Sequence, residues 1–283
     1  SNELLFWGAR RRSQTGLDLP NTLLKKFASR WKHIGETYSV LTSRLQREAE
    51  GSYNGCLSEL GQHLGQRYGE RAGWSPSRLE VYATCPFSFL VSSALGLEVL
   101  ETPQVGYQAS QLGSLLHNVL EQVFRDAPDP ADTGDVLTRL PEAAQRIFAN
   151  APQTHQFRPS MLWEIQQEEL LLVLGAAIQG IAALEPDKAW RPLAFEVKFG
   201  LDGNPPLIIS VPSGEIRLHG IVDRVDINPE EELRVIDYKS GGSHLTPQDL
   251  IDGRRLQLPI YALAASQALG LGKPAEGFYW ALF

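Results

Sequence analysis

Three charged residues, Asp223, Asp237 and Lys239, lie in two neighbouring stretches of the sequence in which apolar and polar residues alternate. Such alternation predicts two β-strands, and the short polar loop between them predicts that the strands form a hairpin. Pairing Ile227 with Leu233 across that loop places Asp223 directly opposite Asp237. Lys239 is expected on the same face as Asp237, because side chains two residues apart in a strand point to the same side.

Two carboxylates that face each other across a hairpin need a compensating cation, because like charges in directly opposed positions are destabilising. Carboxylate oxygens suit Mg²⁺ or Mn²⁺, and such an ion can polarise a phosphoryl oxygen and activate a water molecule. A neighbouring lysine can orient that water or stabilise charge that develops in the transition state. These residues favour metal-dependent phosphoryl chemistry, and the alternative is a surface hairpin with an ordinary ion pair.

Helical and extended stretches elsewhere in the chain must position this hairpin. The predicted helices span residues 109–124, 134–149, 161–184 and 246–269, the last with a kink at Pro259. The predicted strands span residues 193–201, 207–211, 216–227, 233–240 and 278–283. Helices that precede a small sheet with an antiparallel hairpin predict a mixed α/β fold.

The composition is that of a globular protein with an acidic balance. A hydrophobic content of 43% excludes a disordered chain. The 26 Lys and Arg residues against 33 Asp and Glu residues give a formal net charge of −7, which argues against coating nucleic acid by bulk charge. The sequence shows neither an apolar run of membrane-spanning length nor a signal peptide, so we expect a cytoplasmic protein without membrane association.

The length of 283 residues is consistent with about two domains. We expect an N-terminal helical segment at residues 1–73 and a second domain at residues 74–283. The chain begins at Ser1, has its only methionine at Met161 and ends within an aromatic-rich stretch typical of a strand. We therefore expect a fragment of a larger protein whose second domain is truncated at its C-terminal end.

Five short motifs follow one another between residues 77 and 262. They are SRLEVYATCPF at 77–87, GSLLHNVLE at 113–121, GIVDRVD at 220–226, IDYKSG at 236–241 and QLPIYA at 257–262. Together they resemble the PD-(D/E)XK nuclease superfamily, and within it the RecB/AddB branch of recombination exonucleases. The resemblance implies a restriction-endonuclease-like core sheet whose antiparallel hairpin is flanked by helices.

The resemblance also implies roles for residues that match the motifs. The implied metal ligands are the side chains of His117, Asp223 and Asp237 and the backbone carbonyl of Tyr238. The implied catalytic residues are Asp223, Asp237, Lys239, Gln257 and Tyr261, of which the last two would place DNA or support the lysine. Mg²⁺ or Mn²⁺ is the implied cofactor.

The family resemblance bears on two further residues, Glu196 and Cys85. Glu196 lies in the strand before the hairpin, where it either pairs with Lys198 on an exposed face, or supports the metal ligands or a second metal ion. Cys85 matches the first of four cysteines that bind a 4Fe-4S cluster in many AddB-type nucleases. Because the only other cysteine is Cys56, which lies outside the motif, we do not expect a cluster in this chain.

The resemblance implies a metal-dependent DNA exonuclease domain that works with a helicase partner or helicase domain in double-strand-break repair and recombination. Its DNA contacts would come from a local strip of basic residues. The candidates are Arg78, Arg158, Arg224, Lys239, Arg254 and Arg255. One alternative is a stand-alone CRISPR-adaptation or restriction-type nuclease, and another is a catalytically inactive module that binds DNA ends.

Overall fold

A computed structural model describes residues 36–37, 39–42, 60–69, 72–97, 105–184, 189–241 and 245–283. The chain divides into two compact units, residues 1–67 and 68–283. Most of the predicted N-terminal helical segment at residues 1–73 lies outside the described residues. The predicted domain boundary, between residues 73 and 74, falls a few residues beyond the division between the two units.

Eight α-helices have both ends within the described residues, of which residues 36–37 and 39–42 are also helical. They are α1 (Gly61–Tyr68), α2 (Pro76–Thr84), α3 (Pro86–Phe89), α4 (Ala109–Asp126), α5 (Thr133–Thr154), α6 (Trp163–Ala183), α7 (Pro247–Ile251) and α8 (Gln257–Leu263). Two π-helical turns, at Leu90–Ala94 and Ala264–Ala268, follow α3 and α8. Among the described helices, none combines the length and apolar character that crossing a bilayer requires.

Seven strands form two sheets in the described residues, which confirms the mixed α/β class. They are β1 (Gly73–Trp74), β2 (Arg191–Phe199), β3 (Leu207–Val211), β4 (Gly214–Leu218), β5 (Gly220–Ile227), β6 (Glu232–Lys239) and β7 (Lys273–Ala281). The larger sheet has the order β2-β5-β6-β7, with β7 parallel to β6 and the other neighbours antiparallel. The smaller sheet has the order β1-β4-β3.

The predicted register of the β5–β6 hairpin is confirmed. Ile227 pairs with Leu233, and the ladder continues to the pair formed by Arg224 and Ile236. It ends there, one residue before the position at which Asp223 and Asp237 would form the next pair. The two aspartates therefore lie where the strands stop exchanging backbone hydrogen bonds, so their side chains and the nearby backbone groups are available for other contacts.

Two hydrophobic clusters hold the large sheet from its two sides. Helices α4, α5 and α6 form one cluster, to which β6 contributes Ile236 and Tyr238. Helix α8 and strand β3 contribute to the other, together with Leu233 and Val235 of β6. Residues of β6 thus enter both clusters, as expected for a strand that is covered on both faces.

Two predicted elements are interrupted in the structure. The strand predicted at 216–227 is interrupted at His219, whose backbone N–H donates to the carbonyl of Trp74 at 2.9 Å instead of continuing one ladder. The helix predicted at 246–269 is broken between α7 and α8, where Gly253 adopts a left-handed φ of 69°. Pro259 is the third residue of α8, where a helix has unpaired N–H groups in any case, so the predicted kink is wrong.

Candidate metal centre

Asp223 lies at the end of the hairpin ladder and is buried. One of its carboxylate oxygens accepts a hydrogen bond from the backbone N–H of Tyr238 at 2.8 Å. This contact fixes the carboxylate across the hairpin and turns the same oxygen toward helix α4, where it lies 3.5 Å from Nδ1 of His117. The end of the hairpin and the buried side of α4 therefore form one site.

His117 reaches the hairpin because α4 packs its apolar face on the sheet. Gly113, one turn earlier, permits the close approach, since a Cβ atom there would lie 3.3 Å from Oγ of Ser240. Nε2 of His117 lies 3.0 Å from the backbone carbonyl oxygen of Tyr238. A carbonyl can only accept, so Nε2 must carry the proton of this hydrogen bond. The other ring nitrogen, Nδ1, points into the site.

Glu196 completes the cluster from the neighbouring strand β2. Its backbone has a left-handed φ of 47°, which is uncommon and costly for a residue other than glycine. Phe195 before it stacks on Phe124 of α4 with ring centroids 4.8 Å apart, which anchors β2 beside the helix. One carboxylate oxygen of Glu196 then lies 3.6 Å from Nδ1 of His117. Lys198 pairs instead with Asp202 at 2.7 Å, so the alternative in which Glu196 pairs with Lys198 is wrong.

The three side chains place their ligand atoms around one point. Single ligand atoms of His117, Glu196 and Asp223 all lie within 4.8 Å of one another. Because Nε2 of the neutral imidazole carries the proton, Nδ1 presents a lone pair to two carboxylates. Burial alone lowers the pKa of His117, but hydrogen bonds and charges from Asp223 and Glu196 outweigh it and raise the pKa to about 10. The cluster therefore needs a cation, either a proton on Nδ1 or a metal ion.

One nitrogen and several carboxylate oxygens form a donor set that fits Mg²⁺ or Mn²⁺. The donors come from three separate elements, α4, β2 and β5, each of which is fixed by the packing described above. The residues present therefore fit the metal that the sequence predicts, although the identity of the metal remains a prediction.

A second group of polar side chains lies beside the cluster. Asp237, which is 2% exposed, forms an ion pair with Lys239. Nζ of Lys239 also donates to the side-chain carbonyl of Gln257 at 2.9 Å. Tyr261 lies one turn later on α8, and burial is the largest of the effects that raise the pKa of its phenol. The lysine is thus held between a carboxylate of the sheet and an amide of the helix.

The negative charge of Asp223 affects the ionisation of Asp237 in this second group. Burial raises the pKa of Asp237, the negative charge of Asp223 raises it further, and Lys239 lowers it, with a net value of about 6. Asp237 is therefore ionised at neutral pH, although burial and the charge of Asp223 destabilise its ionised form. A cation between the two aspartates and His117 would relieve this repulsion.

The structure brings together all of the predicted site residues in two adjoining groups. His117, Glu196 and Asp223 form the cluster that surrounds the candidate metal position. Glu196 lies within this cluster. Asp237 contacts Lys239, and the carbonyl of Tyr238 accepts from His117. Their roles as ligands or catalytic groups remain predictions.

The basic residues proposed for DNA contact differ in availability. Arg224 is buried and donates two hydrogen bonds to Asp226, at 2.6 and 3.0 Å, so the prediction that it contacts DNA is wrong. The carboxylate of Asp226 is engaged by this pair. Arg254 forms ion pairs with Asp249 and Asp252. Fewer of the predicted basic side chains are therefore available to bind a DNA phosphate.

Cys85 has a structural contact in the described chain. It lies between α2 and α3, and its Sγ accepts a hydrogen bond from the backbone N–H of Ser88 at 3.4 Å. Pro86 follows as the first residue of α3, a position where the missing N–H costs nothing. The short Cys-Pro-Phe motif is therefore explained locally as a helix start, and the expectation that this chain lacks an iron–sulfur cluster remains untested.

Sequence reasoning missed Glu80 as part of the site. This residue lies on α2, and its carboxylate accepts hydrogen bonds from the backbone N–H groups of Leu256 and Gln257 at 2.5 and 3.1 Å. Its presence in the motif at 77–87 was a signal that it matters. Its partner could not be read from the sequence, because 176 residues separate Glu80 from Leu256.

The chain is similar to known proteins over most of its length. A subunit of an ATP-dependent helicase/deoxyribonuclease from Thermoanaerobacter sp. strain X514 is 31% identical over 274 residues, which cover 90% of this chain and 24% of that protein. Subunits of the same name from Caldanaerobacter subterraneus and Acetivibrio thermocellus are 32% and 33% identical, over 75% and 69% of this chain. The chain thus spans about a quarter or less of the length of these relatives. Residues 73–282 match the PD-(D/E)XK nuclease superfamily, to which the chain therefore belongs.

Proposed function

We propose that the second unit of this chain is a DNA nuclease domain that uses Mg²⁺ or Mn²⁺ to hydrolyse phosphodiester bonds. The observation that carries the proposal is the cluster of His117, Glu196 and Asp223, whose ligand atoms all lie within 4.8 Å of one another. A site of this kind needs a cation, and a divalent cation beside a partly buried lysine is suited to phosphoryl transfer. The family and the names of the relatives support the same reaction class.

Each side chain of the site has a separate role in the proposed reaction. The bound metal would polarise a phosphoryl oxygen and lower the pKa of a water ligand. Asp223 and Glu196 hold their carboxylates in place through the hairpin and the strained β2 backbone. Lys239 presents a positive charge where negative charge develops on the phosphate, and Asp237 and Gln257 fix its position.

The names of the relatives supply the wider context of the proposal. Those proteins are named as subunits of an ATP-dependent helicase/deoxyribonuclease. The present sequence contains no Gly-x-x-x-x-Gly-Lys-Ser/Thr phosphate loop. We therefore assign DNA unwinding to a helicase partner or to another part of the full-length protein, and we propose DNA-end processing in repair or recombination, in the cytoplasm, as the setting.

Cleavage of labelled single-stranded and duplex DNA tests this function. We expect cleavage with Mg²⁺ or Mn²⁺, none with EDTA, and a loss of about 100-fold or more in the Asp223→Asn variant, because one metal ligand and the Tyr238 contact are weakened together. Asp202→Asn is the matched control, since it changes an exposed aspartate that pairs with Lys198 outside the cluster. DNA binding without cleavage by the correctly folded wild type would favour the inactive end-binding module instead.

A further inference from the structure

Glu80 links helix α2 of the nuclease unit to the helix that carries Gln257. Its carboxylate accepts from two N–H groups at the start of α8, those of Leu256 and Gln257. No side chain of Leu256 itself caps this helix. The carboxylate of α2 therefore satisfies N–H groups that a helix start leaves without a partner inside the helix.

The contact lies at one end of a continuous series of hydrogen bonds. Glu80 holds the backbone of Gln257, the side chain of Gln257 accepts from Lys239, and Lys239 forms the ion pair with Asp237. The series runs through three elements, from α2 to α8 and then to β6, which carries the last two residues. A displacement of the α8 start would move the amide that fixes the lysine.

We propose that Glu80 is a positioning residue that sets the location of Lys239 through Gln257, an inference that rests on the proposed nuclease function. Glu80 acts on the lysine only through the start of α8. Its two hydrogen bonds fix the backbone position of Gln257. The side chain that extends from this position provides one of the contacts that hold the lysine. Misplacement of a catalytic group by about 1 Å is enough to reduce a rate by about 100-fold.

The neighbourhood of α2 explains why this helix can serve as a fixed support. Ser75 caps its start, since Oγ accepts from the N–H of Arg78 at 3.3 Å, and Pro76 is its first residue. Leu79, next to Glu80, packs against the same hydrophobic cluster as Leu258 and Tyr261 of α8. The two helices are thus joined by apolar packing, and Glu80 adds the directional contact between them.

Three substitutions at this position separate hydrogen bonding from charge. Glu80→Gln keeps a carbonyl that can accept both N–H groups, so we expect it to retain most of kcat. Glu80→Asp keeps the charge but is one methylene too short, and Glu80→Ala removes the acceptor, so we expect kcat to fall about 10- to 100-fold in both, with little change in KM. Retention by the aspartate variant together with loss in the glutamine variant would overturn the inference.

A double-mutant cycle tests whether Glu80 acts through Gln257. In the Gln257→Ala background, Glu80→Ala should reduce kcat by no more than about twofold further, because the contact it supports is already gone. Independent losses that multiply would contradict the proposed connection. Ser75→Ala is the control for a general effect of weakening α2, and we expect it to lower the unfolding temperature without changing kcat.

Hydrogen exchange gives a reading that does not depend on cleavage. The amides of Leu256 and Gln257 should exchange faster in Glu80→Ala than in the wild type and should remain protected in Glu80→Gln. Unchanged exchange in Glu80→Ala would overturn the inference even if the protein cleaves DNA. Absence of metal-dependent cleavage by the wild type would instead refute the proposed function, while exchange would still decide whether Glu80 holds the start of α8.

Discussion

Replacing Asp237 with asparagine is expected to abolish cleavage and, at the same time, to make the metal-free protein harder to unfold. The loss of cleavage should be about 100- to 1,000-fold or more, because the variant removes a charge that supports the metal and the ion pair that holds Lys239. The side chain keeps its size, so the fold and its packing are retained.

The gain in stability follows from the raised pKa of Asp237. Its folded-state pKa is about 6, above the ordinary value of 3.8, because of burial and the charge of Asp223. Folding therefore favours the protonated form, and this favourable contribution is fully present below pH 3.8 and is lost as the pH rises through about 6. Asparagine resembles the protonated form at every pH, so above pH 6 the variant should gain about 1–3 kcal/mol in the free energy of unfolding.

Urea denaturation in EDTA at about pH 4 and about pH 8 measures this effect. The variant should have a higher midpoint than the wild type at the higher pH, and the difference should nearly disappear at the lower pH. Saturating Mn²⁺ should reverse the order at the higher pH, since the wild type binds the ion more tightly. A variant that is less stable than the wild type at the higher pH without metal would show that the carboxylate is not under repulsion.

Metal affinity is expected to increase steeply with pH, because the metal and a proton compete for Nδ1 of His117. The hydrogen bonds and charges of Asp223 and Glu196 raise the pKa of this residue to about 10 despite its burial, so it is protonated in the metal-free protein at neutral pH. Each metal ion that binds must displace that proton. The apparent affinity should therefore rise about tenfold per pH unit between about pH 7 and about pH 8.5.

The same raised pKa has a consequence for stability without metal. Protonated His117 stabilises the fold fully below pH 6.5, its ordinary pKa, and this contribution is lost as the pH rises through about 10. Calorimetric titration with Mg²⁺ in two buffers of different ionisation enthalpy measures the proton release, which should be about one per ion at about pH 7.5. His117→Gln should bind about 10- to 100-fold more weakly and release almost no proton. An affinity that is independent of pH in the wild type would contradict the assignment of His117.

The hairpin and its register could be predicted because they depend on local signals. The alternation of apolar residues, the short loop and the pairing of Ile227 with Leu233 fix which residues face each other. The same reasoning could not find where the ladder ends. That point depends on the carboxylate of Asp223, which takes the N–H of Tyr238 and brings the hairpin end to α4.

The position of Glu196 in the metal cluster was not predictable from alternation. A regular strand would direct its side chain by parity alone, but the backbone of Glu196 is left-handed and redirects the carboxylate. On either side of this residue, Phe195 stacks on Phe124 and β2 pairs with β5, and neither contact can be read from the local sequence. The resemblance to the family drew attention to Glu196 but did not supply its geometry.

The break between helices α7 and α8 was also not predicted from the sequence. Apolar spacing predicted one continuous helix, because period alone does not reveal a glycine that adopts a left-handed conformation at residue 253. The break matters for function, since it creates the new helix start that Glu80 caps and that carries Gln257. Long-range contacts of this kind can override the local helix propensity of the sequence.

The location of a bound Mn²⁺ ion tests the central claim most directly. Anomalous X-ray diffraction from crystals of the wild type with Mn²⁺ should show the ion among Nδ1 of His117 and the carboxylates of Glu196 and Asp223. The Asp223→Asn variant under the same conditions should lose this signal, whereas Asp202→Asn should keep it. A wild-type crystal with no ion in this cluster, or with Mn²⁺ bound equally well in the Asp223→Asn variant, would contradict the account.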